Sequence, residues 1–220
     1  MAANQKKVKN LLIIVTASVL TVVLILFLSK KNTIKLDSVE VRDYQGQKLS
    51  SVQDFRENSI KGPQIVDINS YQLSLTGLVN KPKNYLYADI IKKQNYSKVI
   101  TLNCVEGWDV TILWQGILLK DLFNEVGINP KANTVIFYAV DGYSSSLPLD
   151  YVLNKNILLA YKMNGVTFPP ERGFPFQVIA EDKLGYKWVK WINKIELTSD
   201  SSYQGYWESR GFSNQGDLKK

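Results

Sequence analysis

Apolar residues fall along this chain in two ways: once as an unbroken run, and afterwards as short runs and alternations. The unbroken run is residues 11–28, LLIIVTASVLTVVLILFL, without a charge. Lys6, Lys7 and Lys9 precede it, and Lys30, Lys31 and Lys35 follow. As a helix rising about 1.5 Å per residue it reaches roughly 27 Å, enough to cross a hydrocarbon core. A cleaved signal peptide has a shorter apolar region, about 7–15 residues, that ends in small residues. This run ends Phe27-Leu28-Ser29-Lys30. The pattern therefore predicts an uncleaved single-pass anchor over residues 1–30, inserted through residues 10–29. The N-terminal flank has three lysines and the amino terminus, and the other flank has three lysines against Asp37. The positive-inside rule places the N-terminus inside and the rest of the chain outside the cell membrane.

Beyond the run the pattern shortens. Residues 31–58 are polar and mixed, and read as a tether and entry segment, with a turn at Tyr44-Gln45-Gly46-Gln47. Gly62-Pro63 is a further break. Tyr71–Val79 alternates, as a half-buried strand does, and Asn80-Lys81-Pro82-Lys83 ends it. Leu86–Lys93 reads as a short helix. Lys98–Leu102 and Val110–Trp114 are β-branched and apolar, and predict strands flanking a loop. Leu118–Val126 is amphipathic at helical spacing and closes on Gly127. Thr134–Val140 predicts a strand, then a turn at Asp141-Gly142 leading into Ser144-Ser145-Ser146-Leu147. Leu149–Leu153 is one helical turn. Leu158–Lys162, Phe176–Ala180 and Ile192–Leu197 are further strands. Many strands with scattered short helices, lacking regular βαβ alternation, predict an α+β fold in one domain over residues 59–215.

Composition adds what this domain does not use. Twelve Tyr, eight Phe and five Trp fill a core easily. The net charge of +7 owes most to the six lysines around the apolar run, so the remainder is near neutral. No basic stripe interleaved with aromatics occurs, which argues against nucleic acid as a partner. The chain has one cysteine, Cys104, and no histidine. An intrachain disulfide, a zinc site built from Cys and His, and histidine acid–base catalysis are thereby excluded. For Cys104 three readings remain: a buried bystander, a nucleophile, or a lone thiolate ligand to a metal carried by an organic cofactor.

Two segments concentrate candidate chemistry. Residues 104–123 read CVEGWDVTILWQGILLKDLF, and residues 168–197 read FPPERGFPFQVIAEDKLGYKWVKWINKIEL. The second is dense in Pro, Gly and aromatics, with Arg172 and Lys187 among them; glycine lets backbone amides approach an anion, and the cations supply charge. Two turn-rich loops joining strands would look similar. Trp108, Asp141 and Tyr143 stand at turns that could border a pocket or simply pack.

The order T-x-x-C-V-E-G-W, W-x-G-x-x-L-x-x-L-F, P-P-x-x-G-x-P and G-Y-K-x-x-K-W-I resembles the molybdopterin-binding oxidoreductase domain of the sulfite oxidase family. Within it, the likeness is to the small bacterial branch containing the periplasmic methionine sulfoxide reductase catalytic subunit. It covers roughly residues 55–215, and residues 205–214, GYWESRGFSN, share it. The resemblance implies a sulfite oxidase-type fold of mixed sheets and short helices, and molybdenum–molybdopterin as cofactor. It implies Cys104 as thiolate ligand to the metal and catalytic centre, with Asn103, Arg172, Gln177, Gly185, Tyr186 and Lys187 as cofactor contacts. Two positions depart from the family: 172 is more usually Asn or His, and 177 is often Arg. Here they are Arg172 and Gln177, as if the positive charge had changed places, and an Arg can pair bidentately with phosphate where a Gln cannot. The basic residues by which sulfite-oxidising members hold an oxyanion have no counterpart that aligns.

The resemblance implies two-electron oxygen-atom transfer on a small-molecule substrate. One Cys and no His cannot hold a Cys₄ iron–sulfur cluster or a His-ligated haem, so electrons need a separate redox protein, haem- or quinol-linked. Lys6-Lys7 stands where an exported relative carries twin arginines. That departure keeps open a second reading, a cofactor-free fold of this type serving as an anchored binding module. A thiol peroxidase or hydrolase built on Cys104 is a third, and lacks a histidine base.

Overall fold

β-Branched and aromatic residues recur in the longer strands, and short turns join several consecutive pairs of strands. The structure, a computed structural model, describes residues 39–218; the apolar run at 11–28 lies outside the described residues. A two-residue hairpin, β1 (Asp43–Tyr44) and β2 (Gln47–Lys48), comes first. Then follow β3 (Gln72–Gly77), β4 (Lys83–Leu86), helix α1 (Tyr87–Ile91), β5 (Tyr96–Asn103), β6 (Asp109–Leu118) and helix α2 (Leu119–Val126). The chain continues through β7 (Thr134–Ala139), β8 (Ser144–Pro148), helix α3 (Leu149–Asn154), β9 (Leu158–Met163), β10 (Val166–Thr167), β11 (Gln177–Ile179) and β12 (Ile192–Thr198). Among the described residues no helix is long and apolar enough to cross a membrane.

Two five-stranded sheets organise these elements. One runs β10-β9-β6-β5, with β11 also on β9; the other runs β4-β3-β12-β7-β8. β12 lies parallel to β3 and antiparallel to β7, so the second sheet is mixed. This agrees with the α+β, mixed-sheet expectation. β6 is the central beam: Val110, Ile112, Leu113, Trp114, Ile117 and Leu118 are all buried. A register shift between Gln115 and Gly116 brings β6 hard against β9. A β-carbon at Gly116 would lie 2.1 Å from the Leu159 carbonyl oxygen, which is why the W-x-G pattern has glycine there. α2 buries Leu119, Leu122, Phe123 and Val126 on one face and ends on Gly127, at φ 70°, as its spacing predicts.

Two strands carry little sequence signal. β4 presents only Tyr85 inward, and the same stretch reads as a break after β3. β8 is mostly serine, yet Ser145 and Ser146 are buried. Their hydroxyls donate to the Glu208 carboxylate and the Tyr203 carbonyl, so polar satisfaction stands in for hydrophobicity.

The segment read as tether and entry takes part in the fold from Glu40 onward. The buried Glu40 carboxylate accepts from the Val52 amide (2.6 Å), Asn164 Nδ2 (2.7 Å) and Ser51 Oγ (3.0 Å). Asn164 Oδ1 in turn accepts the Leu113 amide. That clamp sets the start of residues 53–70, which contain no strand or helix and no residue that is buried as a whole.

Candidate functional site

β5 and β6 pair from Tyr96↔Gly116 to Asn103↔Asp109, and the loop between their ends carries Cys104. The loop is tight: the Cys104 amide donates to the Trp108 carbonyl (2.9 Å) and the Gly107 amide to the Cys104 carbonyl (3.1 Å). Side chains alternate along β5, so Leu102 and Cys104 face one cavity while Asn103 between them does not. The thiol is half-buried, and burial pushes it above its ordinary value. The backbone amides of Glu106 and Val105, and the Arg56 charge, favour the thiolate; the Glu106 carboxylate opposes it.

The cavity holds about 450 Å³, within the ~300–1,000 Å³ usual for cofactor and ligand sites. Five of the expected residues line it: Cys104, Arg172, Gln177, Gly185 and Tyr186. Trp108, Asp141 and Tyr143 border it too. Gly185 opens a 3₁₀ turn beside the Cys loop, where its β-carbon position lies 3.5 Å from the Asn103 carbonyl oxygen and 3.6 Å from the Cys104 α-carbon. Tyr143 Oη donates to the Tyr186 carbonyl (2.5 Å), and Tyr186 Oη to the Ser213 carbonyl (2.6 Å). Gln177 is buried, its Nε2 donating to the Trp188 carbonyl at 3.3 Å.

Arg172 and Lys190 supply positive charge in the cavity wall. Burial holds both below their ordinary values; Glu171 and Glu57 act against this at Arg172, and Glu57 at Lys190. Arg172 donates to two carbonyls, Nε to Val52 (3.2 Å) and Nη2 to Phe55 (2.9 Å), and among the described residues no carboxylate lies within salt-bridge distance of it. Lys190 Nζ lies 3.2 Å from Glu57 Oε1. Ser59, on the wall formed by residues 55–60, has a buried hydroxyl with no partner.

Two expected cofactor contacts are placed elsewhere. Asn103 faces away by strand alternation, and its Nδ2 donates to the Thr101 carbonyl (3.3 Å). Lys187 is wholly buried, and its ammonium is paired with Glu208 at 2.6 Å. The turn that puts Tyr186 on the cavity directs Lys187 into the interior. Lys190, three residues later, takes the cavity position. The G-Y-K-x-x-K motif contained this signal in its second lysine. Ser59 and Phe55 had none, because their segment shows no periodicity.

Among the described residues no cluster of Cys, Asp and Glu could hold a metal by side chains alone. A metal carried on a pterin fits what is present: one soft sulfur donor, two desolvated cations for an anionic portion, an unpartnered hydroxyl, and a cavity of sufficient volume. A lone thiol and two cations thus share one cavity, the set of groups that a metal carried on an anionic organic group calls for. The chain belongs to the oxidoreductase molybdopterin binding domain family, whose model matches residues 60–207. It is an enzyme of that family, with molybdenum–molybdopterin as cofactor.

The chain is 32% identical over 156 residues to the uncharacterized oxidoreductase YuiH of Bacillus subtilis, covering 70% of this chain and 78% of that protein. It is 30% identical over 201 residues to sulfite oxidase of Arabidopsis thaliana, covering 75% of this chain and 49% of the plant enzyme. It is 30% identical over 143 residues to the protein-methionine-sulfoxide reductase catalytic subunit MsrP of Ralstonia nicotianae, covering 58% and 43%. The chain thus spans about half or less of the latter two. The fold is also that of the sulfane dehydrogenase SoxCD from Paracoccus pantotrophus, with a TM-score of 0.61 at 21% identity over 63% of this chain and 41% of that one.

Proposed function

We propose that this chain is the catalytic unit of a membrane-anchored molybdenum oxidoreductase. It moves an oxygen atom to or from a small substrate in a two-electron reaction, with Cys104 Sγ as the protein's ligand to the metal. The observation that carries this reading is one cavity shared by the Cys104 thiol, Arg172 and Lys190. When bound, the cofactor supplies the redox change and the exchangeable oxygen. The chain's residues supply the rest. Cys104 gives up its proton on ligation, and the amides of Val105 and Glu106 favour the resulting thiolate. Arg172 and Lys190 hold the anionic part, and Ser59 Oγ offers a hydrogen bond. Phe55 and Trp108, ring centroids 6.1 Å apart, give that end an apolar face.

Charge balance bears on the substrate. The cavity wall has three cations, Arg56, Arg172 and Lys190, and three carboxylates, Glu106, Asp141 and Glu171. With Arg172 and Lys190 engaged by the cofactor, the remainder is net negative. That disfavours oxyanions such as sulfite or nitrate and favours an uncharged oxo-substrate of the sulfoxide type. Electrons pass through a separate haem- or quinol-linked protein, because one cysteine and no histidine provide no relay of the chain's own. The apolar run anchors the chain in the cell membrane with this domain outside.

Metal and pterin analysis of protein made in a cofactor-competent host tests the proposal. Wild type should hold one molybdenum per chain, and Cys104→Ser should lose both metal and turnover. Full metal and activity in that variant would overturn it. Protease shaving of intact cells tests orientation; a domain that resists until the membrane is broken is inside.

A further inference from the structure

Lys187 and Glu208 form the one ion pair among the described residues in which both side chains are 0% exposed. Nζ lies 2.6 Å from Oε1, and the same oxygen accepts Ser145 Oγ at 2.5 Å. The pair joins two cavity walls that are distant in sequence. Lys187 ends the turn whose Gly185 and Tyr186 line the cavity. Glu208 follows Trp207 and precedes Phe212, which line it as well.

Other contacts run the same way. The Leu184 amide donates to the Gly216 carbonyl (2.7 Å), and Tyr186 Oη donates to Ser213. Gly216, at φ 62°, packs so closely on the Lys187 stem that a β-carbon would lie 2.6 Å from its Cγ. The C-terminal segment therefore wraps the Gly185–Lys187 turn, and the buried charges sit at the join. A buried ammonium or carboxylate left alone is strongly unfavourable, whereas the pair can be replaced together by neutral groups of similar shape.

We propose that Lys187 and Glu208 are a positioning pair: they touch no cofactor, and they hold Trp207 and Phe212 against the Gly185–Tyr186 turn so that the cavity is complete. This rests on the molybdopterin reading of the cavity. It assigns Lys187 a role different from the cofactor contact that its motif implies.

The test compares the full chain with Lys187→Met, Glu208→Gln and the double variant. Bound molybdenum and pterin are measured, with the near-ultraviolet circular dichroism of the tryptophans. Each single change should lower cofactor content about tenfold and flatten the tryptophan signal; the double should return both to within about threefold of wild type. A double variant as depleted as Lys187→Met would mean that the ammonium contacts the cofactor, and would overturn the proposal. So would a Glu208→Gln protein with full content and signal. Ser145→Ala keeps both charged groups and removes one bond to Glu208, so it covers the case in which the single variants do not fold. It should speed cofactor loss a few-fold, and an unchanged rate would overturn the proposal. If wild type itself held no pterin, the cavity reading would fail, while the tryptophan signal of the cofactor-free variants would still decide the pairing.

Discussion

The cavity has two kinds of wall. One is made by sheet ends: the β5–β6 loop with Cys104, β11 with Gln177, and the turn before β12 with Tyr186 and Lys190. Its residues stand on Trp114, Ile112 and Val178, all fully buried. The other wall is the strap of residues 53–60, with no regular structure and no residue that is buried as a whole. It is held by separate ties: two carbonyls on Arg172, the Glu57–Lys190 pair, and the Phe55 ring edge-on to Trp108 and Trp114. The donor atom sits on the wall whose position is set by packing, and the covering groups sit on the wall set by a few polar contacts. Reaction geometry needs the first kind of support, and a closable cover can do with the second.

The largest effect should come from breaking the packed wall. Trp114 is 0% exposed, donates from Nε1 to the Ile100 carbonyl (3.0 Å), and packs on Trp188 and Phe168. Trp114→Ala removes that packing under the Cys loop and should cost about 3–5 kcal/mol of stability. At roughly 2–4 °C per kcal/mol for a domain of this size, melting should fall by about 10 °C. A denaturant midpoint near that of wild type would show that the sheet wall is not what supports the loop.

The same contrast explains what could be read from the chain. β6, α2, β7 and β12 were legible because their apolar residues recur at a strand or helix period. The Cys104 loop was legible because its neighbours on both sides are such strands. β8 was not, since serines satisfied by Glu208 and Tyr203 leave no hydrophobic trace. Lys187 and Lys190 sit in one motif, and only the direction of the 3₁₀ turn tells which faces the cavity and which faces Glu208. The strap has no period at all. Its place follows from Glu40 and Arg172, partners about 12 to 120 residues distant in sequence, which local pattern cannot reveal.

A smaller effect should follow from releasing the strap. Arg172→Met keeps the stem but removes the donors to Val52 and Phe55. Hydrogen bonds from a charged group contribute about 1.5–3 kcal/mol each at most, and partial exposure of this one reduces that. A total loss of about 1–2 kcal/mol is expected, confined to the strap. Amides of residues 53–60 in cofactor-free protein should exchange about tenfold faster, while those of β6 and β12 stay at wild-type rates. Equal acceleration everywhere would mean that the two walls unfold as one and that their distinction does not hold.

The smallest effect, and the one that sharpens the comparison at a single atom, is a pH dependence. Burial raises the Cys104 thiol above its ordinary value, so the folded, cofactor-free protein holds that proton at neutral pH. Ligation needs the thiolate, and cofactor binding must therefore release one proton. Below the thiol's folded value, affinity should rise with pH by up to tenfold per unit, and level off above it. The sign for stability is opposite. A proton held more tightly in the folded state than in the unfolded one stabilises the cofactor-free protein below the ordinary thiol value. That contribution fades as pH rises through the folded value. Cofactor retention and the denaturant midpoint of the cofactor-free protein, both followed from pH 6 to pH 10, should thus move in opposite directions. Cys104→Ser should flatten the stability trend in that range. A stability slope unchanged by Cys104→Ser would show that another group carries it.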